Sequence, residues 1–214
     1  MPFLLALILG LGLLEPSPVF ANVPSLMILG DSLTAGFGLK PEEAYPAILE
    51  KKLASNDLSF KVINGGVSGD TTAGGLRRLA WMLDRASPQF LIIALGGNDM
   101  LRGLPLTQTT ENIRQMIKLA QVRKIPVALV GVPAAPNMGE AYEKDFNQMF
   151  GNLARELKIP VLENYIDGVA GIPKLNLQDG IHPNAEGQKK VAENLYRFLV
   201  TLLEPVQKKQ GESK

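Results

Sequence analysis

The chain contains a single histidine, in Asp179-Gly180-Ile181-His182-Pro183, and an early serine in Gly30-Asp31-Ser32-Leu33, directly after the apolar run Leu26-Met27-Ile28-Leu29. A serine on a tight turn after a strand, with a histidine three residues after an aspartate, can build a Ser-His-Asp hydrolase triad. A serine hydroxyl is a weak nucleophile at neutral pH and needs a base that titrates near neutrality. If the chain is a Ser-His enzyme, His182 is the only imidazole available as that base. Residues three apart on a turn can share a side. Asp179 could then accept from one ring nitrogen of His182 and leave the other for Ser32. Taken alone, His182 also reads as a structural histidine.

Two further loops could stabilise developing negative charge. Asn64-Gly65-Gly66-Val67-Ser68-Gly69-Asp70-Thr71-Thr72 exposes backbone N–H groups ahead of a helix start, where the helix adds positive potential. The Gly69 N–H is a candidate oxyanion donor. A plain turn with Asp70 or Thr71 as cap fits the same residues. Gly96-Gly97-Asn98-Asp99 follows the apolar run Phe90–Leu95. The neutral Asn98 amide can donate there without adding a charge, although an Asx-turn would use it locally. The Ser32 loop also admits two other readings, a helix cap or a phosphate cradle.

The elements that must position these loops alternate along the chain. Short apolar runs at 25–30, 60–64, 90–95, 127–130 and 160–162 read as strands buried on both faces. Amphipathic stretches near 43–54, 72–84, 109–122, 140–157 and 184–203 read as helices, the last with Asn184 as its cap. This alternation predicts an α/β fold, a three-layer α/β/α sandwich around a mostly parallel five-stranded sheet. Function in such sheets gathers at the carboxyl ends of the strands, where all four loops fall. No repeat or linker interrupts the chain, so residues 22–204 read as one domain, followed by a polar tail at 205–214.

Residues 1–21 read as a secretory signal peptide, with the apolar run Leu4–Leu14, a break at Glu15-Pro16 and a cut expected near Ala21. The run is short for a membrane span, and no Lys or Arg precedes it. An uncleaved N-terminal anchor is the competing reading. Without these residues the charge is 22 − 20 = +2, which gives no electrostatic case for nucleic acid or an anionic membrane. The absence of cysteine together with one histidine excludes the usual structural zinc sites. No ligand-loop spacing suggests another metal.

In order, Gly30-Asp31-Ser32-Leu33, Gly69, Asn98 within Gly-Gly-Asn-Asp, and Asp179-Gly-Ile-His182 resemble the blocks of the SGNH hydrolases, the GDSL-type esterases and lipases. The resemblance runs from about residue 25 to 200. Ser68-Gly69-Asp70-Thr71, Leu101-Arg102-Gly103 and His182-Pro183-Asn184 make it strongest to the bacterial periplasmic acyl-CoA thioesterase I / lysophospholipase / arylesterase group. It implies the flavodoxin-like fold of that family and acyl transfer to water without a cofactor. Ser32 would be the nucleophile, His182 the base and Asp179 its orienting carboxylate. Ser32 N–H, Gly69 N–H and the Asn98 side chain would form the oxyanion hole. Asp31 is read as holding the serine loop.

The partner is then a small acyl ester or thioester, and a monomer with no lasting membrane anchor is expected. Leu101, Leu104 and Pro105 on one loop, and Pro133 and Met138 on another, are candidates to line an acyl chain, though they could simply pack beneath their loops. Two rivals remain at this point. One is a carbohydrate acetyl-esterase with the same catalytic set, for which Trp81 is the single tryptophan platform. The other is non-catalytic, a flavodoxin-like phosphate-binding protein or a silent surface protein.

Overall fold

The computed structural model describes residues 23–212. The signal-peptide reading falls outside them. Five strands, β1 (Ser25–Gly30), β2 (Lys61–Gly66), β3 (Phe90–Ala94), β4 (Val127–Val130) and β5 (Val161–Leu162), pair in the order β2-β1-β3-β4-β5. Every pairing is parallel, so the expected mostly parallel sheet is wholly parallel among the described residues. The helices are α1 (Ser32–Ala35), α2 (Tyr45–Ala54), α3 (Thr72–Ala86), α4 (Gly97–Leu101), α5 (Leu106–Val122), α6 (Glu140–Leu157) and α7 (Ala185–Glu212).

Two-residue alternation along the central strands builds two cores. Leu26, Ile28, Ile92 and Val130 face one way and are covered by α2 and α7, through Leu49, Leu53, Leu195 and Leu199. Met27, Leu29, Ile93 and Leu129 face the other way and are covered by α3, α5 and α6, through Leu79, Ile113, Met116 and Phe146. Strands buried on both faces cannot alternate polar with apolar, which is why the runs at β1, β3 and β4 are continuous. That expectation fails for β2 and β5. Both lie at the sheet edges and are largely half-exposed.

The strand order reverses between β1 and β3, and a crevice opens at the carboxyl ends of strands flanking such a reversal. Gly30 is in register with both Gly66 and Ala94. The chain therefore leaves β1, β2 and β3 at one level, and the loops bearing Ser32, Gly69 and Asn98 emerge side by side. Close approach of backbones is required here. A Cβ on Gly66 would lie 2.3 Å from the Ala35 nitrogen.

Four elements differ from the sequence reading. The single turns α1 and α4 are too short to show a helical period, and both fall in stretches read as loops. Helix α5 begins at Leu106, immediately after Pro105. Helix α7 runs past the expected boundary at 204, through Pro205. Val206 packs on the core and the Gln207 amide donates to the Asp57 carbonyl at 2.9 Å. Residues 205–207 are therefore not a free tail.

The close contact at Gly66 predicts that Gly66→Ala destabilises the domain by about 1–3 kcal/mol through overpacking. A melting temperature lower by several degrees, together with loss of activity from displaced α1, would be seen in a thermal scan and an ester-hydrolysis assay. A neutral substitution would mean that the two backbones can separate without consequence.

Candidate active site

Gly30 ends β1, and the chain turns at once into α1. Asp31, not Ser32, caps this helix, its Oδ1 accepting the Leu33 N–H at 3.0 Å. This removes the capping alternative for Ser32 and leaves its hydroxyl available. Among the described residues, neither the Ser32 nor the Gly69 N–H has a protein acceptor. Open N–H groups in a helix first turn suit an anionic oxygen.

The histidine loop is built independently. The buried Asn176 side chain donates to the carbonyls of Val169 at 2.7 Å and Ile172 at 2.9 Å. Leu177 N–H donates to His182 O at 2.7 Å, and Asn176 bridges Pro183 antiparallel. Asn184 caps α7 as expected, accepting from Glu186 and Gly187 N–H, both at 3.1 Å. Buried Gln188 in the first turn of α7 then joins the two regions. It accepts the Tyr45 N–H at 2.8 Å and donates to the Leu33 carbonyl at 3.3 Å.

The result is an unbroken polar chain. His182 Nε2 lies 2.9 Å from Ser32 Oγ, and His182 Nδ1 lies 2.7 Å from Asp179 Oδ2. Gly180, at φ +70°, carries the turn between Asp179 and His182. The other carboxylate oxygen of Asp179 accepts the N–H groups of Ile181 at 2.9 Å and His182 at 3.0 Å. The His182 and Ile181 N–H groups, followed by the imidazole, lower the Asp179 pKa to about 2. An ionised carboxylate on Nδ1 fixes the tautomer that leaves Nε2 as acceptor. The arrangement can accept the proton of Ser32 as its oxygen attacks an electrophile.

Asn98, in α4, faces the same crevice. Its Nδ2 donates to the Asp70 carbonyl at 3.0 Å and lies 3.5 Å from Asp31 Oδ2. The second distance is too long to commit the remaining N–H, so that proton can be redirected to a bound oxygen. The Gly69 loop is held from outside by Arg102, whose Nη2 donates to Gly69 O at 2.7 Å. It is held from inside by Arg78, which pairs with Asp70 Oδ2 at 2.8 Å and donates to Gly30 O at 3.0 Å. The five expected site residues Ser32, Gly69, Asn98, Asp179 and His182 thus sit on neighbouring loops at one end of the sheet.

The candidate acyl-lining residues fall on two loops that touch. Ala135 N–H points to Met100 Sδ at 3.1 Å. Leu101 and Pro105 are exposed, whereas Leu104, Pro133 and Met138 are half-buried. Met138 packs on the core under α6, so part of its apolar surface is already used in packing. Sequence reasoning missed Phe37, whose ring lies 4.5 Å from the His182 ring. It also missed the buried carboxylate of Asp99. The only signal for Asp99 was its place beside Asn98.

A model of the GDSL-like Lipase/Acylhydrolase family matches residues 28–190. The chain is 36% identical over 183 residues to Esterase TesA of Pseudomonas aeruginosa, covering 86% of this chain and 91% of that protein. It is 34% identical to Thioesterase 1/protease 1/lysophospholipase L1 of Escherichia coli (strain K12), covering 86% of each. The crystal structure of the psychrotrophic esterase EstA from Pseudoalteromonas sp., inhibited by monoethylphosphonate, superposes with a TM-score of 0.80 at 30% identity. That match covers 84% of this chain and 98% of EstA.

Asp31 is buried, and removal from water pushes its carboxyl up from 3.8 to about 6. A carboxyl with a raised folded pKa binds its proton more tightly in the folded chain. It therefore stabilises the fold while neutral, and this contribution is lost as pH rises from about 4 to about 6. Asp31→Asn stays neutral throughout. Its stability relative to the parent should improve between pH 4 and pH 7 in urea melts. A difference that stays constant across that window would show that Asp31 titrates alike folded and unfolded.

Proposed function

The chain belongs to the GDSL-like lipase/acylhydrolase family, and from that premise we propose that it hydrolyses carboxylic esters and thioesters through an acyl-enzyme on Ser32. The observation that carries the assignment is the unbroken chain from Asp179 through His182 to Ser32 Oγ. His182 Nε2 takes the hydroxyl proton as Ser32 Oγ attacks the acyl carbonyl carbon. Charge moves onto the carbonyl oxygen, where the Ser32 and Gly69 N–H groups and the Asn98 amide receive it. The carbon–oxygen or carbon–sulfur bond then breaks, and the alcohol or thiol leaves with the proton from His182. Water repeats the sequence on the acyl-enzyme and releases the acid. Asp179 orients the imidazole and stabilises its cation.

The substrates are small acyl compounds: aryl esters, acyl-CoA and lysophospholipids. The names of the relatives, an esterase and a thioesterase/lysophospholipase, support this class. The surface around the site agrees with an apolar acyl group. Phe37, Val67, Leu101 and Ile181, each on a loop bearing one of the proposed catalytic residues, are exposed large hydrophobics. Leu101, Leu104, Pro105, Pro133 and Met138 are assigned to the acyl chain. A carbohydrate acetyl-esterase fits less well, because Trp81 borders a groove with Ser25 and Lys61. Those residues begin β1 and β2, at the opposite end of the sheet from Ser32. A non-catalytic phosphate-binding protein would leave the His182–Ser32 hydrogen bond without a use.

The protein acts as a monomer, exported after cleavage near Ala21, with one catalytic domain that begins at residue 22 and includes the packed residues 205–207. Among the described residues no helix is long and apolar enough to cross a membrane. A hydrolysis panel of p-nitrophenyl esters of rising chain length, acyl-CoA, lysophospholipid and acetylated sugars tests the substrate class. Turnover confined to acetylated sugars would overturn it.

Ser32→Ala should keep the fold, abolish fluorophosphonate labelling and lower kcat by roughly 10⁶-fold. Retention of more than a few per cent activity would remove Ser32 from the nucleophile position. Asn98→Ala should lower kcat by about 10²–10³ with little change in KM, because the oxyanion forms only in the transition state. A raised KM at preserved kcat would instead place Asn98 in ground-state binding.

A further inference from the structure

Asp99 is 2% exposed and takes no direct part in the chemistry proposed above. Its carboxylate is fully engaged. Oδ2 accepts the Thr72 N–H at 2.8 Å, and Oδ1 accepts the hydroxyls of Thr72 at 2.5 Å and Thr109 at 3.3 Å. The Thr72 oxygen in turn accepts from Asn112 Nδ2 at 3.0 Å, and Asn112 Oδ1 accepts from Gln108 at 2.9 Å. Each donor to the carboxylate is a neutral group. A buried charge without a counter-ion is costly unless its oxygens are hydrogen-bonded. Here the N-terminus of α3 supplies both a free N–H and the favourable end of the helix dipole.

The placement of these bonds matters more than their number. Thr72 is the first residue of α3, and Gly69-Asp70-Thr71 is the segment that leads into it. Asn98 holds the same segment through the Asp70 carbonyl at 3.0 Å. Two consecutive residues of α4 therefore grip the segment at two points, Asp70 and Thr72. A single contact would act as a hinge, whereas two contacts suppress rotation of the Gly69 loop against α4. The outer contact from Arg102 to Gly69 O is exposed, so water competes for it. The Asp99 cluster is buried, with Thr72, Asp99, Thr109 and Asn112 each at most 5% exposed.

We propose that Asp99 is a positioning residue that fixes the Gly69 loop and Asn98 in one geometry, so that their N–H groups converge on the acyl oxygen. The inference rests on the oxyanion role given to Gly69 and Asn98. Donors of this kind must meet the transition-state oxygen within tenths of an ångström, and misplacement by about 1 Å can cost roughly 10²-fold in rate.

The test is a double-mutant cycle on the full chain. Asp99→Asn keeps the side-chain volume but sets an N–H₂ against the donors of Thr72 or Thr109. Measured well below its melting temperature, the folded variant should lose about ten- to a hundredfold in kcat, with KM within about twofold of the parent. The same substitution in an Asn98→Ala background should cost at least about threefold less, because one positioned donor is already gone. An unchanged kcat, or a loss of full size in the Asn98→Ala background, overturns the proposal. If Asn98→Ala alone leaves kcat unchanged, the oxyanion reading fails and the positioning role fails with it. A normal Asn98→Ala loss beside an unaffected Asp99→Asn overturns only the role of Asp99. Should Asp99→Asn not fold, Thr72→Val removes the hydroxyl but keeps the N–H bond to Oδ2. It should show a smaller kcat loss at constant KM, and lowered stability with unchanged kcat would count against the proposal.

Discussion

The 2.9 Å contact between His182 Nε2 and Ser32 Oγ joins residues 150 apart in the chain, and neither loop could hold it alone. The serine loop is shaped by its exit from β1 and by the Asp31 cap. The histidine loop is shaped by Asn176, Gly180 and the first turn of α7. Gln188 closes the gap between them, bonding α7 to the N–H of Tyr45 and the carbonyl of Leu33. Around Gln188, α7 packs on the sheet through Leu195 and Leu199. Apolar burial, which has no direction of its own, sets the approach of α7. The directional bonds of one buried amide then fix its register.

Three carboxylates near the site have three different environments, and their environments separate their duties. Asp179 is ionised and bonded to two backbone N–H groups, so it can orient an imidazole without taking a proton from it. Asp31 is buried, and desolvation pushes it up to about 6. It caps α1 and fills the space between the nucleophile loop and Asn98. Asp99, on α4, is buried among neutral donors. Only Asp179 touches the imidazole. The other two bond to backbone N–H groups and neutral side chains of the neighbouring loops.

Much of the fold was legible because the central strands are buried on both faces. The continuous runs at 26–29, 90–95 and 127–130 could be nothing shorter-ranged than core strands, and the helices between them carry a clear amphipathic period. The edge strands were less legible, since β2 and β5 are half-exposed and mix polar with apolar residues. The one-turn helices α1 and α4 escaped, because four or five residues are too few to show a period of 3.6. The end of α7 escaped for another reason. Its last residues are polar apart from Pro205 and Val206, and a proline disfavours a helix interior, yet α7 continues through Pro205 and Val206 packs on the core.

The chain by itself determined which groups can do chemistry. One histidine leaves one base, and Ser32, Gly69, Asn98 and Asp179 each lie at a strand exit or before the last helix, so their motifs and order were visible. What they could not show was how the loops are held, because those contacts join residues far apart in sequence. Gly66 against Ala35, Gln188 against Leu33 and Asp99 against Thr72 have no local signature. Each exists only once the parallel sheet has set β1, β2 and β3 in register and the helices have closed over it. Tertiary structure alone decided that Asp99 is buried beside the crevice and that Phe37 lies on the His182 ring, since burial and contact are properties of the packed chain.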